Sequence, residues 1–260
     1  MKKILLLITG VAAFIASNDS SRSKILYKAI EKCRITGLQG TYESKICKLR
    51  DKFLHPDLFG PLEEIENIIV LHGKTGNGKS LISKHIANEC NVQLVEIDCS
   101  NFYNDPQKAF SYLDTIFGQV ISLTDSGKKC VLSFDDIDAI YNPEIKEFIY
   151  NFLIKNRNNK NLLFIAAAIK VDGLSRRHSR FIEVKAPDLE SRQEILQYYC
   201  DSVDVKLKSS TIQRMAKDTD GLDRRSLEYI IMFIQQKMGI SDEITYQDIK
   251  RFIQDRKKLG

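Results

Sequence analysis

The stretch Ile68–Ser80, IIVLHGKTGNGKS, decides the fold of this chain. Its apolar first half has the character of a buried strand, and its second half fits the phosphate-binding pattern G-x-x-x-x-G-K-[ST] at every fixed position. Gly76 and Gly78 let the backbone curl so that its N–H groups point at phosphate oxygens. A helix predicted to start near Lys79 adds the positive end of its dipole, and Ser80 offers a hydroxyl to a cation. The stretch therefore predicts a nucleoside triphosphate site, the alternative being a strand-to-helix turn that binds nothing.

Composition is that of a soluble globular protein. The chain has 260 residues, of which 43% are hydrophobic and 28% charged, enough for one large α/β domain with a small appendage. The net charge of +5 allows an acidic or nucleic-acid partner but argues for none. The six cysteines form no C-x-x-C pair and the four histidines form no H-E-x-x-H, which argues against a zinc site or a disulfide framework.

The N-terminus carries an apolar run, Ile4–Ala16, behind Lys2 and Lys3. The run has the length of a signal-peptide core and is shorter than the roughly 20 residues of a membrane-spanning helix. Small residues are poorly placed for cleavage of a signal peptide. Export would also separate the phosphate-binding loop from the nucleotide of the cytosol. Two interpretations stay open for residues 1–22, an uncleaved membrane anchor and a helix buried in the fold. Both predict a cytoplasmic protein, which is membrane-associated in the first case.

Strands and helices alternate between residues 56 and 186, which predicts an α/β fold with a parallel five-stranded sheet covered by helices. The predicted strands are Ile68–Leu71, Gln93–Ile97, Cys130–Phe134, Leu162–Ala167 and Phe181–Val184. Amphipathic spacing predicts a helical N-terminal region over residues 23–55. Residues 187–260 are predicted to form a small all-α domain, with helices over Leu189–Cys200, Ser209–Lys217, Asp223–Lys237 and Thr245–Lys257.

A second candidate site feature follows the third predicted strand. Val131–Phe134 leads directly into Asp135, Asp136 and Asp138. A mostly apolar strand that ends in adjacent carboxylates can supply a Mg²⁺ partner and a base that orients water, at the same sheet edge as the phosphate-binding loop. An acidic surface turn is the alternative, and the loop upstream makes it the weaker one.

The succession of motifs resembles the AAA family of ATPases, within the AAA+ class. IIVLHGKTGNGKS is followed by LSFDDIDAI, RHSRF, APDLESRQEIL and TDGLDRRSLEYI, in the family's order. The resemblance covers about Pro56 to the C-terminus. It implies a P-loop AAA+ core with a helical lid, and ATP and Mg²⁺ as ligands. It also implies a ring, usually a hexamer, formed with further copies or with an AAA paralogue.

The resemblance assigns roles to residues around the phosphates. Lys79 matches the phosphate ligand, Ser80 and Asp135 match the Mg²⁺ ligands, and Asp136 stands where the family has a glutamate that polarises the attacking water. Nucleotide contacts are implied at Gly73, Thr75, Gly76, Asn77, Gly78, Lys79, Ser80 and Leu81.

Three arginines are also assigned by position. Arg177 and Arg180 match arginines that reach the γ-phosphate of a neighbouring subunit, where a guanidinium is worth roughly 10³–10⁵ in rate in analogous systems. Arg225 matches a lid arginine that senses the γ-phosphate. Ordinary surface charge is the alternative for all three.

The sequence departs from the family pattern at three places. Asp136 is one methylene shorter than glutamate, which should weaken hydrolysis because a base must lie within hydrogen-bond reach of the water. The fourth predicted strand leads into Ala168-Ile169, where the family has a polar pair with an asparagine, and isoleucine cannot hydrogen-bond through its side chain. Phe102 and Tyr103 occupy the pore-loop segment, where they either grip a threaded polypeptide or, as is slightly favoured, pack before the next helix.

Three functions are consistent with these features. The leading hypothesis is an oligomeric, ATP-driven factor that remodels a protein client, with weakened hydrolysis. The second is a nucleotide-gated binding or assembly module with little or no turnover, which the two altered site positions favour. A DNA-acting ATPase is a weaker third, because the basic stretches Lys155–Lys160 and Lys250–Lys258 are typical of solvated faces and no recognition helix is appended.

Overall fold

The computed structural model describes residues 40–56, 67–103, 106–171, 179–239 and 244–259. The apolar run Ile4–Ala16, most of the predicted helical region 23–55, the connector over residues 57–66, and Arg177 lie outside the described residues. Among the helices of the described ranges, none combines the length and the hydropathy that crossing a bilayer requires.

The described residues form one sheet of five parallel strands. These are β1 (Ile68–His72), β2 (Gln93–Asp98), β3 (Cys130–Asp135), β4 (Leu162–Ala168) and β5 (Arg180–Glu183). The spatial order is β2-β3-β4-β1-β5, with β5 at one edge. The predicted α/β class and all five strands are confirmed, with ends that differ by one residue. β5 begins at Arg180 because this residue pairs with Ile69, and Val184 follows the strand while donating its N–H to the His72 carbonyl at 2.6 Å.

Four helices belong to the sheet: α1 (Gly40–Leu54), α2 (Lys79–Cys90), α3 (Pro106–Asp125) and α4 (Pro143–Lys155). The starts of α2 and α4 follow from the local sequence. α4 starts at a proline, and the Asn142 side chain accepts hydrogen bonds from the N–H groups of Glu144 and Ile145 at 2.8 and 3.2 Å. α2 starts at Lys79, directly after the glycine-rich loop.

Apolar side chains alternate between the two faces of the sheet, and helices cover both faces. In β1, Ile68 and Val70 belong to the core cluster that includes α3 and α4, whereas Ile69 and Leu71 belong to the cluster that includes α1 and α2. Every residue of β4 is buried. The strand ends that carry the candidate site are therefore held in a packed, immobile frame.

Four further helices form a lid with its own core: α5 (Leu189–Ser202), α6 (Ser209–Asp218), α7 (Arg224–Met238) and α8 (Tyr246–Leu259). Arg192 of α5 is buried and donates to the carbonyls of Ala216 and Pro187 at 2.9 and 3.0 Å, which ties α5 to α6. At the start of α8, Thr245 and Asp248 form a capping box. Thr245 Oγ1 lies 2.6 Å from Asp248 Oδ2, and the Asp248 N–H donates back to Thr245 Oγ1 at 3.3 Å.

Candidate nucleotide-binding site

The glycine-rich loop is fixed to the ends of two strands. The Gly73 N–H donates to the Ala168 carbonyl of β4 at 3.2 Å, and the Asn77 side-chain amide donates to the Val184 carbonyl at 2.9 Å. Gly73 has a φ of 142°, and a side chain there would collide with the Val184 carbonyl. The side chain of Asn77 therefore anchors the loop to the sheet.

Lys79 lies across the mouth of the loop. Its Nζ donates to the carbonyls of Gly73 and Lys74 at 2.7 and 3.1 Å, and its side chain is buried. Burial lowers the pKa of Lys79, while the carboxylates of Asp136 and Asp135 act in the opposite sense. The ammonium group is thus held against the carbonyls of the first two residues of the loop.

The loop and the acidic strand converge, as the sequence reasoning requires. Ser80 Oγ lies 2.8 Å from both Oδ1 and Oδ2 of Asp135, at the end of β3. One turn further along α2, the buried Ser83 and Ser133 hydroxyls are hydrogen-bonded at 3.0 Å. These two contacts hold α2 against β3. They also place two hard oxygen groups side by side, the ligand type that Mg²⁺ prefers.

Asp136 lies next to this pair in a left-handed backbone conformation, with φ 51°. Burial raises the pKa of the Asp136 carboxyl, and the neighbouring carboxylates Asp135 and Asp138 raise it further, against an opposing effect of Lys79. The carboxyl therefore takes up a proton more readily than an ordinary aspartate.

Asp138, in the same acidic segment, makes hydrogen bonds to the chain that follows β4. It lies in a 3₁₀ turn over Ile137–Ala139, and its Oδ2 accepts the N–H groups of Ile169 and Lys170, both at 3.0 Å. The turn after β3 is thereby clamped to the end of β4. The Ile169 side chain is 46% exposed, so the family's polar position is filled by a solvent-facing apolar group.

The lid contacts the glycine-rich loop directly. The Arg225 N–H, in the first turn of α7, donates to the Gly76 carbonyl at 3.1 Å. Gly76 has a φ of 86°, and the Asp223 carboxylate stands where a side chain at Gly76 would project. The same carboxylate caps α7 by accepting the Ser226 N–H at 2.7 Å. Substitution of Gly76 would therefore disturb both the loop and the start of α7.

Strand ends, α2 and lid together enclose a pocket of about 360 Å³. Its lining residues are Thr75, Gly76, Gly78, Lys79, Ser80, Leu81, Asp135, Asp136, Tyr199, Arg224, Arg225 and Glu228. The structure thus brings together most of the predicted nucleotide-site residues. Sequence reasoning missed Tyr199, Arg224 and Glu228; the adjacent arginines in DRRS were the one available signal, and nothing in the sequence marked Tyr199.

The two neighbouring lid arginines act at different places. The positive charge of Arg225 acts on Lys79, in the loop, and lowers its pKa. The Arg224 guanidinium lies 5.6 Å from the Tyr199 ring centroid, its stem packs against Gly78, and its charge is felt by His85 on the second turn of α2. The lid therefore brings positive charge to the phosphate-binding loop and to the flank of α2.

Arg180 lies away from the chain's own pocket. It opens β5 opposite Ile69, whereas the loop leaves β1 after His72, about 10 Å further along the strand. Arg177 is outside the described residues. Of the two aromatic residues in the pore-loop segment, Phe102 is buried and contacts Tyr112 edge to face at 6.2 Å, which confirms packing for this residue.

The fold and the pocket define a P-loop protein with a helical lid. The family model described as "ATPase family associated with various cellular activities (AAA)" matches residues 69–189, from β1 to the start of α5. Residues 69–189 therefore form an AAA-family domain, within the AAA+ class, and the resemblance inferred from the motifs is confirmed for this part of the chain.

Similar proteins share this part of the chain. "ATP-dependent zinc metalloprotease FtsH 1" of Alkaliphilus metalliredigens is 24% identical over 225 residues, which cover 73% of this chain and 37% of the relative. "Proteasome-activating nucleotidase" of Methanosphaerula palustris is 25% identical over 207 residues, 72% of this chain and 49% of the relative. "Cell division protein C" of Sulfolobus acidocaldarius is 26% identical over 231 residues, 78% and 60% respectively. The chain thus spans between about a third and three fifths of the length of these relatives.

Proposed function

We propose that this protein binds Mg²⁺-ATP and acts as an oligomeric AAA-type ATPase that remodels a protein client, with weakened hydrolysis. The observation that carries the proposal is the convergence of the Ser80 hydroxyl and the Asp135 carboxylate at 2.8 Å, in the pocket that Lys79 also lines. A strand-to-helix turn that binds nothing has no need to bring a lysine, a hydroxyl and a carboxylate together.

Each part of the pocket has a role in this proposal. Lys79 would contact the β- and γ-phosphates once its ammonium group leaves the loop carbonyls, and the N-terminus of α2 would add its dipole. Ser80 and Asp135 would hold Mg²⁺, which when bound neutralises phosphate charge. Asp136 would orient the attacking water, and Arg225 would contact the γ-phosphate from the lid.

A ring follows from the position of Arg180 in this proposal. This residue lies on the edge strand, outside the chain's own pocket, and in the proposal its guanidinium serves the γ-phosphate of an adjacent copy or of an AAA paralogue. Relatives named for ATP-dependent proteolysis and for proteasome activation support a protein client. Arg177 is proposed to act with Arg180.

A second candidate, a nucleotide-gated assembly module, is favoured by the hydrolysis side of the pocket. Ile169 offers no side-chain hydrogen bond, and Asp136 is short for a base. In this version ATP binding closes the lid and drives assembly, while turnover is negligible.

One experiment separates the two candidates. Molar mass is measured by light scattering with and without Mg²⁺-ATP, and phosphate release is measured on the same samples for the natural protein, Lys79→Ala, Arg180→Ala and an equimolar mixture of the two variants. In a ring that hydrolyses ATP, each variant alone is inactive, and the mixture regains activity because an intact pocket can meet an intact arginine.

Arg157→Ala, at an exposed arginine on another part of the surface, is the matched control and should leave turnover unchanged. Nucleotide-dependent assembly without turnover in any sample would establish the assembly module. A monomer in all conditions, with turnover unaffected by Arg180→Ala, would contradict the ring.

A further inference from the structure

A second concave surface lies on the lid, further along α7 than the residues that line the nucleotide pocket. It is a groove of about 650 Å³ between α7 and α8, which we call the lid groove. Its lining residues are Tyr229, Met232, Phe233, Gln235, Gln236, Gly239, Phe252 and Arg256. Phe233 and Phe252 form its floor, with their rings stacked at 4.2 Å between centroids and 5° between planes. The floor is therefore rigid and apolar.

The lid groove makes α7 apolar on two sides. One side is the lid core, to which Leu227, Ile230, Ile231 and Ile234 belong. On the groove side, Met232 is 51% exposed and Tyr229 is 39% exposed, and Met238 at the end of the helix is 41% exposed. Exposed apolar side chains that lie together on a surface mark candidate interaction sites.

The charges at the lid groove are positive. The Arg256 guanidinium lies 4.3 Å from the Tyr229 ring centroid and 5.6 Å from that of Phe252, and Lys237 lies 5.9 Å from the Phe233 ring. None of the described residues that line the groove is a carboxylate. The carboxylate nearest in sequence to Arg256, Asp255, contacts Lys258 at 3.2 Å. A partner that places carboxylates at the rim would thus be attracted, and one with cations would be repelled.

We propose that the lid groove binds an amphipathic helix of a partner protein, one with a stripe of apolar residues flanked by glutamates or aspartates. The apolar stripe would lie on Phe233, Phe252 and Met232, and a carboxylate would pair with Arg256. Helix-in-groove recognition uses such i, i+3, i+4 and i+7 anchors. The flexible thioether of Met232 can adapt to the shape of the side chain it meets.

The test uses two designed peptides of about 18 residues, roughly five helical turns. Both carry leucines at i, i+3, i+4 and i+7; one has glutamates at the flanking positions and the other lysines. Fluorescence anisotropy of the labelled peptides with the full chain measures binding. The acidic peptide is expected to bind at least about tenfold more tightly than the basic one, a difference of about 1.4 kcal/mol.

Substitutions in the groove should change these affinities in a set direction. Arg256→Glu should reverse the order of the two peptides, because the rim charge is inverted. Met232→Gln, which keeps the side-chain length, should weaken the acidic peptide about fivefold or more. Leu189→Gln makes the same apolar-to-amide change at a residue that is 46% exposed on α5, and should have no effect. Circular dichroism verifies that each variant is folded.

Several outcomes would overturn the proposal. These are absence of saturable binding, equal binding of the two peptides, an unchanged order with folded Arg256→Glu, or an equal loss with Leu189→Gln. A Met232→Gln variant that lowers the molar mass of the free protein would instead show that a second copy covers the groove. The peptide assay is carried out without nucleotide, so a failure here leaves the proposed ATPase function standing.

Discussion

The phosphate-binding half and the hydrolysis half of the pocket are built differently. In the first half, Lys79, Ser80 and Asp135 are linked by hydrogen bonds of 2.7–3.1 Å to the loop and to each other. In the second half, Asp136 is a short carboxylate, and Ile169, which follows β4 outside the residues that line the pocket, is an exposed aliphatic group. In the proposed function, nucleotide binding and nucleotide cleavage therefore depend on separable groups.

The difference shows which parts of a P-loop site tolerate change. The loop and the Ser80–Asp135 pair also hold α2 against the sheet, so altering them endangers the fold. The side chains of Asp136 and Ile169 do not hold α2 against the sheet. Asp138 is the residue that joins the turn after β3 to the end of β4. Substitution at the hydrolysis half can therefore accumulate while the fold persists.

The largest expected effect lies in the binding half. Lys79→Ala removes a cation that should make two charge-assisted contacts with phosphates, each worth about 1.5–3 kcal/mol. Affinity for a fluorescent ATP analogue should fall about 100-fold or more. Lys74→Ala is the control, because this exposed lysine is in the same loop and contributes only its backbone carbonyl. Equal affinities of Lys79→Ala and the natural protein would refute the site.

The next effect lies in the hydrolysis half, and its direction is a gain. Asp136→Glu lengthens the arm by one methylene and should raise steady-state turnover about tenfold if reach limits the base. Binding of the ATP analogue should stay unchanged. Ile169→Asn, alone and combined with Asp136→Glu, tests whether the missing amide limits the rate instead. No gain in any of the three variants would show that neither position sets the rate.

The clamp between the two halves gives a smaller effect, seen in stability. Asp138→Ala leaves two backbone N–H groups without their acceptor, so the free energy of unfolding should fall by about 1–2 kcal/mol in urea denaturation. Asp138→Asn keeps an oxygen acceptor in place and should lose less than about half of that. Equal losses in the two variants would mean that the charge of Asp138, rather than its hydrogen bonds, matters.

The smallest expected effect concerns the protonation of Asp136 and its contribution to stability. Since burial and nearby carboxylates raise the pKa of Asp136, the native state binds its proton more tightly than the unfolded state. The stabilising contribution of this group is complete below its unfolded pKa and is lost as pH rises through the folded pKa. Asp136→Asn should therefore raise Tm by about 1 °C at pH 7.5, and by less as pH falls toward 5. Asp125→Asn, at an exposed residue, should show no such trend.

The features that could be predicted best from the sequence are those that depend on residues close together along the chain. The strands β1, β3 and β4 are nearly continuous apolar runs, and the starts of α4 and α8 were predictable from Asn142-Pro143 and from Thr245 with Asp248. The convergence of Ser80 and Asp135 could be expected because parallel strands bring their carboxyl ends to one edge. The roles of Asp136, Ile169, Arg177, Arg180 and Arg225 remain predictions.

Contacts between elements that are distant along the chain could not be predicted from the sequence. Tyr199 and Arg224 reach the pocket only because the lid folds back on α2. The side chain of Asn77 stood in the motif as a variable position, yet it binds the carbonyl of Val184. Asp138 is one of three similar aspartates, and only the path of the backbone after β4 shows that it clamps Ile169. Such roles are set by distances between elements, which spacing along the chain does not encode.

The hydrogen bond from the Arg225 N–H to the Gly76 carbonyl fixes the first turn of α7 to the glycine-rich loop, so a rotation of α7 would pivot at the loop. Fifteen residues of helix extend about 22 Å from that point. A tilt of about 10° at the loop would swing the distal end of α7 through about 4 Å, by the geometry of a rigid helix. The lid groove lies along that distal half, so a rearrangement of a few tenths of an ångström around a phosphate would be read out, enlarged, where a partner helix binds.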